Sequence, residues 1–283
     1  MNTKTRDRRA ALAEETLAIL DAGRYDSPTG RVIDLHDAIA HCADGTRLYW
    51  AEEIADLPRT RADGAETAGT RIDVVNETTL AGLSALLDEG DSRVAVLNFA
   101  SAKNPGGGFL GGSQAQEESL ARSSALYASL KRCDAYYQHH RASPSLLYTD
   151  AAIFSPDCPV FRDDDGSLLE QPQCASFITC AAPNAGAIAQ NHPDDLPEIA
   201  STFVRRIDGV LAVAAAHGCT RLVLGAWGCG VFRNDPGNVA QAFAAHLLHG
   251  AWRGRFERIR FSVLDTSRES ATYAAFKRTF PSS

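Results

Sequence analysis

Two adjacent carboxylates, Glu117 and Glu118, close a glycine-rich stretch, NPGGGFLGGSQAQEE, at residues 104–118. These residue types pair acid–base chemistry with an anion cradle. A carboxyl group can pass a proton to or from a reacting atom. Glycines leave backbone N–H groups free to face a ligand, with no side chain in the way. If the pair opens a helix, its two positions diverge by about 100°, so the acids cannot straddle one bond as opposed glycosidase carboxylates do. They would divide the labour, one holding substrate hydroxyls and the other facing the scissile oxygen. Two acids in the first turn of a helix also have a simpler account, favourable pairing with the helix N-terminus at about 0.3–1 kcal/mol each. Repulsion and burial would raise one pKa and the helix terminus would lower it, a balance the sequence leaves open.

A second glycine loop, GAWGCGVF, occupies residues 225–232. Gly106, Gly108 and Gly111 satisfy GxGxxG, but the setting of a dinucleotide loop fails. SAKNP separates the preceding strand from the first glycine. Twenty residues past Gly111 stand Lys131 and Arg132, still helical in pattern, where an acidic ribose ligand should end a strand. Two cradles suit a diphosphate or a nucleotide sugar better than a single phosphate.

The elements that must position these loops are legible from residue 70 onward. TRIDVV reads as a strand and TTLAGLSALLDEG as an amphipathic helix closed by Gly90. RVAVLNFA is a continuous apolar strand of the kind buried on both faces. After the first glycine loop, EESLARSSALYASLKR reads as one helix. IFSPDCPVFRDDDGSLL reads as a hairpin turning at a solvated DDDG, which lacks calcium-loop spacing because Phe161 stands where the first ligand should be. CASFITCAAP is a strand, and a long helix ends at Gly218. RLVLGAWGCGVF is a strand entering the second loop, and NVAQAFAAHLLHG is a helix. RIRFSVLD is the last strand, and Thr266 and Glu269 have capping-box spacing before the last helix. This alternation predicts one α/β domain with a largely parallel or mixed central sheet, whose ligands bind beyond the carboxyl ends of strands. Before it, apolar spacing predicts a helix over residues 9–21 and then a short strand. PRTRADGAETAGT and the polar chain before it read as an irregular surface excursion.

The 283 residues are 45% hydrophobic and 22% charged, enough for a sizeable core. A net charge of −7 without a Lys/Arg stripe argues against a duplex-gripping protein. Seven scattered cysteines without CxxC read as reduced thiols, neither a disulfide framework nor a zinc site. His246 and His249 could share a helix face, but cations near a helix C-terminus need no metal. No run of eighteen apolar residues and no secretory leader is evident, so a cytoplasmic location without membrane contact is expected.

Gly106-Gly107-Gly108, seven residues, then Gln116-Glu117-Glu118 resembles the signature of the poly(ADP-ribose) glycohydrolases, and NFASAKNPGGGF with the compact length resembles their bacterial type. GAWGCGVF is similar to that family's other ligand loop, although Ala226 stands where some relatives carry Asn. The resemblance implies a macrodomain-like three-layer fold, a mixed central sheet flanked by helices, with an N-terminal helical extension or cap at residues 1–69 and the catalytic domain at 70–283. It implies hydrolysis of ribose–ribose O-glycosidic bonds in poly(ADP-ribose) on modified proteins, from the polymer end, releasing ADP-ribose. Reversal of ADP-ribosylation in the DNA damage response, a monomeric protein, and no cofactor or metal go with it. By position, Glu118 matches the catalytic acid and Glu117 the glutamate that orients ribose hydroxyls. Asn104, Gly106, Gly107, Gly108, Phe109 and Gln116 match the first substrate-binding segment, and Ala226, Gly228, Cys229, Gly230, Val231 and Phe232 the second. A non-catalytic ADP-ribose reader would keep both loops without needing the paired glutamates. A nucleophilic role for Cys229 is disfavoured because no histidine lies near it in sequence.

Overall fold

The structure, a computed structural model, describes residues 3–59, 69–90 and 92–281. In chain order the elements begin with α1 (Thr3–Ala22), the hairpin strands β1 (Arg24–Asp26) and β2 (Val32–Asp34), α2 (His36–Asp44), β3 (Arg47–Tyr49) and α3 (Ala51–Ala55). β4 (Arg71–Val75), α4 (Thr79–Leu87), β5 (Val94–Phe99), α5 (Gln116–Ser123), α6 (Leu126–Leu130) and α7 (Asp134–Ala142) follow. Then come β6 (Ala152–Arg162), β7 (Leu168–Cys180), α8 (Ala185–Asn191), α9 (Glu198–Ala216), β8 (Arg221–Leu224), α10 (Pro236–Leu247), β9 (Arg258–Ser262) and α11 (Ala271–Thr279).

Seven strands form one mixed sheet in the order β3-β6-β7-β5-β8-β9-β4. The run from β7 to β4 is parallel, and β6 and β3 add antiparallel pairs at the other edge. β5 lies directly between β7 and β8. Its alternation explains its continuous apolar sequence: Ala95 and Leu97 face a core with α9 and α10, while Val94 and Val96 face another with α4, α6 and α7. Helices therefore cover both faces, as the three-layer expectation required.

The structure departs from the sequence reading at three places. The stretch before residue 58 is not irregular: α2, β3 and α3 occupy it, and β3 pairs with β6 as an edge strand. The main sheet thus begins at Arg47, on the N-terminal side of the boundary expected at residue 69. Most of PRTRADGAETAGT, residues 60–68, lies outside the described residues. The helix expected over EESLARSSALYASLKR is broken after Ser123. Ser124 is extended (φ −149°, ψ 176°), its hydroxyl donates to Leu120 O at 2.7 Å, and it forms a β-bridge to Val160. Serine hydroxyls compete with the helix ladder, and the edge of β6 offers the backbone another partner. Thr266 and Glu269 make no capping box either. α11 starts at Ala271, and its free amides at Thr272 and Tyr273 donate to Asp265 Oδ2 at 2.8 and 3.3 Å.

Candidate active site

Because β5 and β8 are neighbours, the two glycine loops that follow them meet across one cleft at the carboxyl ends of the parallel strands. Its volume is about 840 Å³, a size for a nucleotide-like ligand. The loops and the start of α5 form one wall system, and residues 77–80 and 262–267 another.

The first loop is folded around the carboxylates. Gly107 sits at φ +60°, and a Cβ there would stand 2.4 Å from Glu118 Oε1 and 3.2 Å from Glu117 Oε2. Only glycine allows both that backbone and that approach. The Gly108 amide donates to Glu118 Oε1 at 3.0 Å, holding the half-buried Glu118 side chain on the cleft wall. Gln116 pins the helix start to the sheet. Its Oε1 accepts from Phe99 N at 2.9 Å and its Nε2 donates to Leu97 O at 2.8 Å.

Glu117 points inward and is 3% exposed. Its Oε2 accepts from Ser101 N at 2.6 Å and its Oε1 from Asn98 Nδ2 at 3.3 Å. Burial pushes its pKa up to about 8. The hydrogen bonds from Ser101 and Asn98 pull the other way, and the neighbouring Glu118 adds to the rise. Burial wins, so Glu117 is neutral at pH 7.

The second loop hangs from Trp227, which is buried and donates its indole N–H to Cys180 O at 3.1 Å. Gly228 (φ +73°) follows, and a Cβ there would meet Ala182 Cβ and Asn234 Nδ2, each at 2.6 Å. Asn234 closes the loop by donating to Pro183 O (2.8 Å) and Gly228 O (3.0 Å). Phe232 lies on the cleft with its ring 6.2 Å from that of Tyr148, a residue at φ +60°.

Of the residues expected at the site, Asn104, Gly107, Gly108, Gln116, Glu117, Glu118, Ala226, Gly228, Cys229, Gly230, Val231 and Phe232 all line this cleft. Gly106 and Phe109 do not. Gly106 is buried, and its amide supports Glu117. Phe109 is fully buried beneath the loop, edge-on to Tyr127 at 4.8 Å, and packs with Ala13 and Ala121. The Cys229 thiol is pushed up to about 12 by burial, and no histidine lines the cleft among the described residues, so the thiolate a nucleophile requires is not supplied. His246 directs Nε2 to Val204 O at 2.8 Å. Among the described residues no three His, Cys, Asp or Glu side chains group as metal ligands.

Asn98, Ser101 and Asn234 escaped the sequence reading. Asn98 carried a signal: a polar amide in a strand otherwise apolar on both faces must find a buried partner. The N-terminal segment holds another surprise. No described residue before Glu77 lines the cleft. α1 instead buttresses the glycine loop from outside, with Arg6 Nε and Arg9 Nε donating to Gly111 O (2.8 Å) and Gly112 O (2.9 Å).

Residues 13–163 match the family profile of the microbial-type PARG catalytic domain. No curated protein matches. Among solved structures, a poly(ADP-ribose) glycohydrolase from Thermomonospora curvata is 48% identical, with a TM-score of 0.92 over 97% of this chain and 100% of that one. The same enzyme bound to the inhibitor ADP-HPD superposes with a TM-score of 0.90 at 48% identity and the same coverage. A poly(ADP-ribose) glycohydrolase from Deinococcus radiodurans in complex with ADP-ribose is 46% identical, with a TM-score of 0.79 over 85% of this chain and 96% of that one. The profile spans more than half of the chain and the relatives 85–97% of it, so this protein belongs to the microbial-type poly(ADP-ribose) glycohydrolases.

Proposed function

We propose that the protein hydrolyses the ribose–ribose O-glycosidic bond of poly(ADP-ribose) from the polymer end, with Glu118 as the acid and then the base. The observation that carries this reading is the division between the two glutamates. Glu118 stands on the cleft wall with one oxygen held by the Gly108 amide, while Glu117 is buried behind it as a neutral acid. The distal ribose lies over this pair. Glu117 and its support from Ser101 and Asn98 fix the ribose hydroxyls, and Glu118 gives its proton to the departing oxygen. Positive charge grows on the sugar as the bond breaks, and the substrate's own diphosphate, held by N–H groups of the second loop, lies close enough to stabilise it. The Glu118 carboxylate then takes a proton from water as that water attacks. Binding of the terminal unit needs no basic groove, which accords with the net charge of −7.

The remaining features are read with it. The protein acts as a monomer on poly(ADP-ribose) attached to other proteins and does not grip duplex nucleic acid. Its thiols, all free among the described residues, suit a reducing cytoplasm. Reversal of ADP-ribosylation, including that raised by DNA damage, is the process this activity serves. Among the described residues no helix is long and apolar enough to cross a membrane.

The test is incubation with a poly(ADP-ribosyl)ated acceptor, with products resolved by chromatography. Wild type is expected to release monomeric ADP-ribose. Glu118→Gln is expected to lose on the order of 10²–10⁴ in turnover while retaining ADP-ribose binding. Binding without release by wild type would make the protein a reader, and full turnover by the variant would remove Glu118 from the reaction.

A further inference from the structure

A second cavity, of about 140 Å³, adjoins the cleft between α1, the start of α5 and the acidic turn after β6. Leu80, Gln114, Ser119 and Asp164 line both spaces. Arg9, Arg122 and Arg162 line the second one as well. Arg162 has a counter-ion, Glu15, at 3.0 Å. Among the described residues Arg9 and Arg122 have no carboxylate within ion-pairing distance. Arg122 is 5% exposed and donates only to neutral acceptors: Ser113 O at 2.8 Å, Gln114 Oε1, and Ser119 Oγ at 3.5 Å. Arg9 gives Nε to Gly112 O, while its Nη2 is buried and has no acceptor.

The acids of the turn line the same cavity, but among the described residues none makes an ion pair with Arg9 or Arg122. Asp163 Oδ1 accepts from the amides of Asp165, Gly166 and Ser167 at 3.2, 3.1 and 2.9 Å. Asp165 holds Ser167, and Asp164 takes the Thr78 hydroxyl. Burying a guanidinium without an anion is costly. Desolvation, with the charge of Arg9 nearby, brings Arg122 down to about 10 against the opposing pull of Glu118. A bound anion would relieve both strains.

Position identifies the anion. Arg122 stands four residues after Glu118 on α5, one turn along the same face, and Ser119 lies between the two spaces. An acid that protonates the departing oxygen has the leaving group on its outer side. We propose that Arg9 and Arg122 form a subsite for the diphosphate of the ADP-ribose unit on the leaving-group side of the scissile bond. The inference rests on the glycohydrolase reading with Glu118 as the acid. It gives α1 a role at the polymer that its absence from the cleft would otherwise deny it.

Two substrates test it. Both carry the same terminal ADP-ribose, joined through its distal ribose either to a second ADP-ribose or to adenosine without phosphate. The ratio of their kcat/KM values is measured for wild type, Arg9→Gln and Arg9→Lys. Wild type is expected to favour the phosphate-bearing substrate, less so as salt rises. Arg9→Gln should cut that ratio about tenfold, chiefly through KM, the order expected for a charge-assisted hydrogen bond. Arg9→Lys should keep most of the preference. A ratio unchanged in Arg9→Gln overturns the subsite, as does an equal loss on both substrates, the signature of a merely structural arginine. Failure of wild type to cut either substrate removes the glycohydrolase reading and the subsite with it.

Discussion

Glu117 keeps its proton in the folded protein up to about pH 8, whereas an ordinary glutamate loses it near 4.5. Between those values the folded state holds more protons than the unfolded chain, so stability falls as pH rises through that window and levels off above it. The slope of this contribution approaches about 1.4 kcal/mol per pH unit. Glu117→Gln removes the titration while keeping a neutral side chain of the same shape. Asn98 Oδ1 is buried without a donor, so a turn of the Asn98 amide could meet the new N–H. Urea unfolding followed from pH 5 to 8.5 should show the variant gaining stability relative to wild type as pH rises. A flat difference would mean that Glu117 is already ionised at pH 5. At this scale the paired glutamates and their glycines were readable because spacing along one short segment holds them together. Asn98 announced a buried partner without saying which, and Asn234 announced nothing, because their partners come from other strands and loops.

The site at the level of elements is a consequence of strand order. A sequence pattern gives alternating strands and helices but not which strands are neighbours, and it is the adjacency of β5 and β8 that brings residues 104–118 and 225–232 to one cleft. The side-chain ties of the second loop are the Trp227 indole on Cys180 O and the Asn234 amide on Pro183 O and Gly228 O, beside a backbone bond from Gly186 N to Phe232 O at 2.9 Å. Asn234→Ala loosens the loop at one end by taking the donor from Pro183 O, while the backbone N–H of residue 234 still reaches Gly228 O at 3.1 Å, a loss of about 1–3 kcal/mol. Because ligand binding must then re-form the loop, calorimetric titration should show ADP-ribose affinity falling by about tenfold. The effect should be large relative to any change in turnover at saturation, since Glu118 is held by the other loop. The broken helix over residues 116–130 shows the limit of periodicity at this scale. Its apolar spacing persists through Ser123 and Ser124, and only the neighbouring edge of β6 decides that the chain leaves the helix there.

Across the whole molecule, the cleft is secured to the cores by a few buried polar ties. Arg206 on α9 is 1% exposed and reaches three parts of the chain at once. It pairs with Asp150 at 3.1 Å and donates to Ala181 O at 2.6 Å and Leu147 O at 2.9 Å. Ala181 follows Cys180, the residue that receives the Trp227 indole, so the clasp continues into the second glycine loop. Nothing in the amphipathic pattern of α9 announces this arginine, which occupies a core-facing position as a leucine would. Arg206→Met keeps much of the bulk but leaves Asp150 with only the exposed Arg205 and two carbonyls without their donor. Leaving buried carbonyls without their donor costs about 1–3 kcal/mol each, together a large share of the 5–15 kcal/mol typical of a folded domain. Denaturant unfolding should therefore show a midpoint shifted strongly downward with little change in slope. If the loss were instead under about 1 kcal/mol, as for an exposed ion pair, the clasp would not be what joins α9 to the cleft.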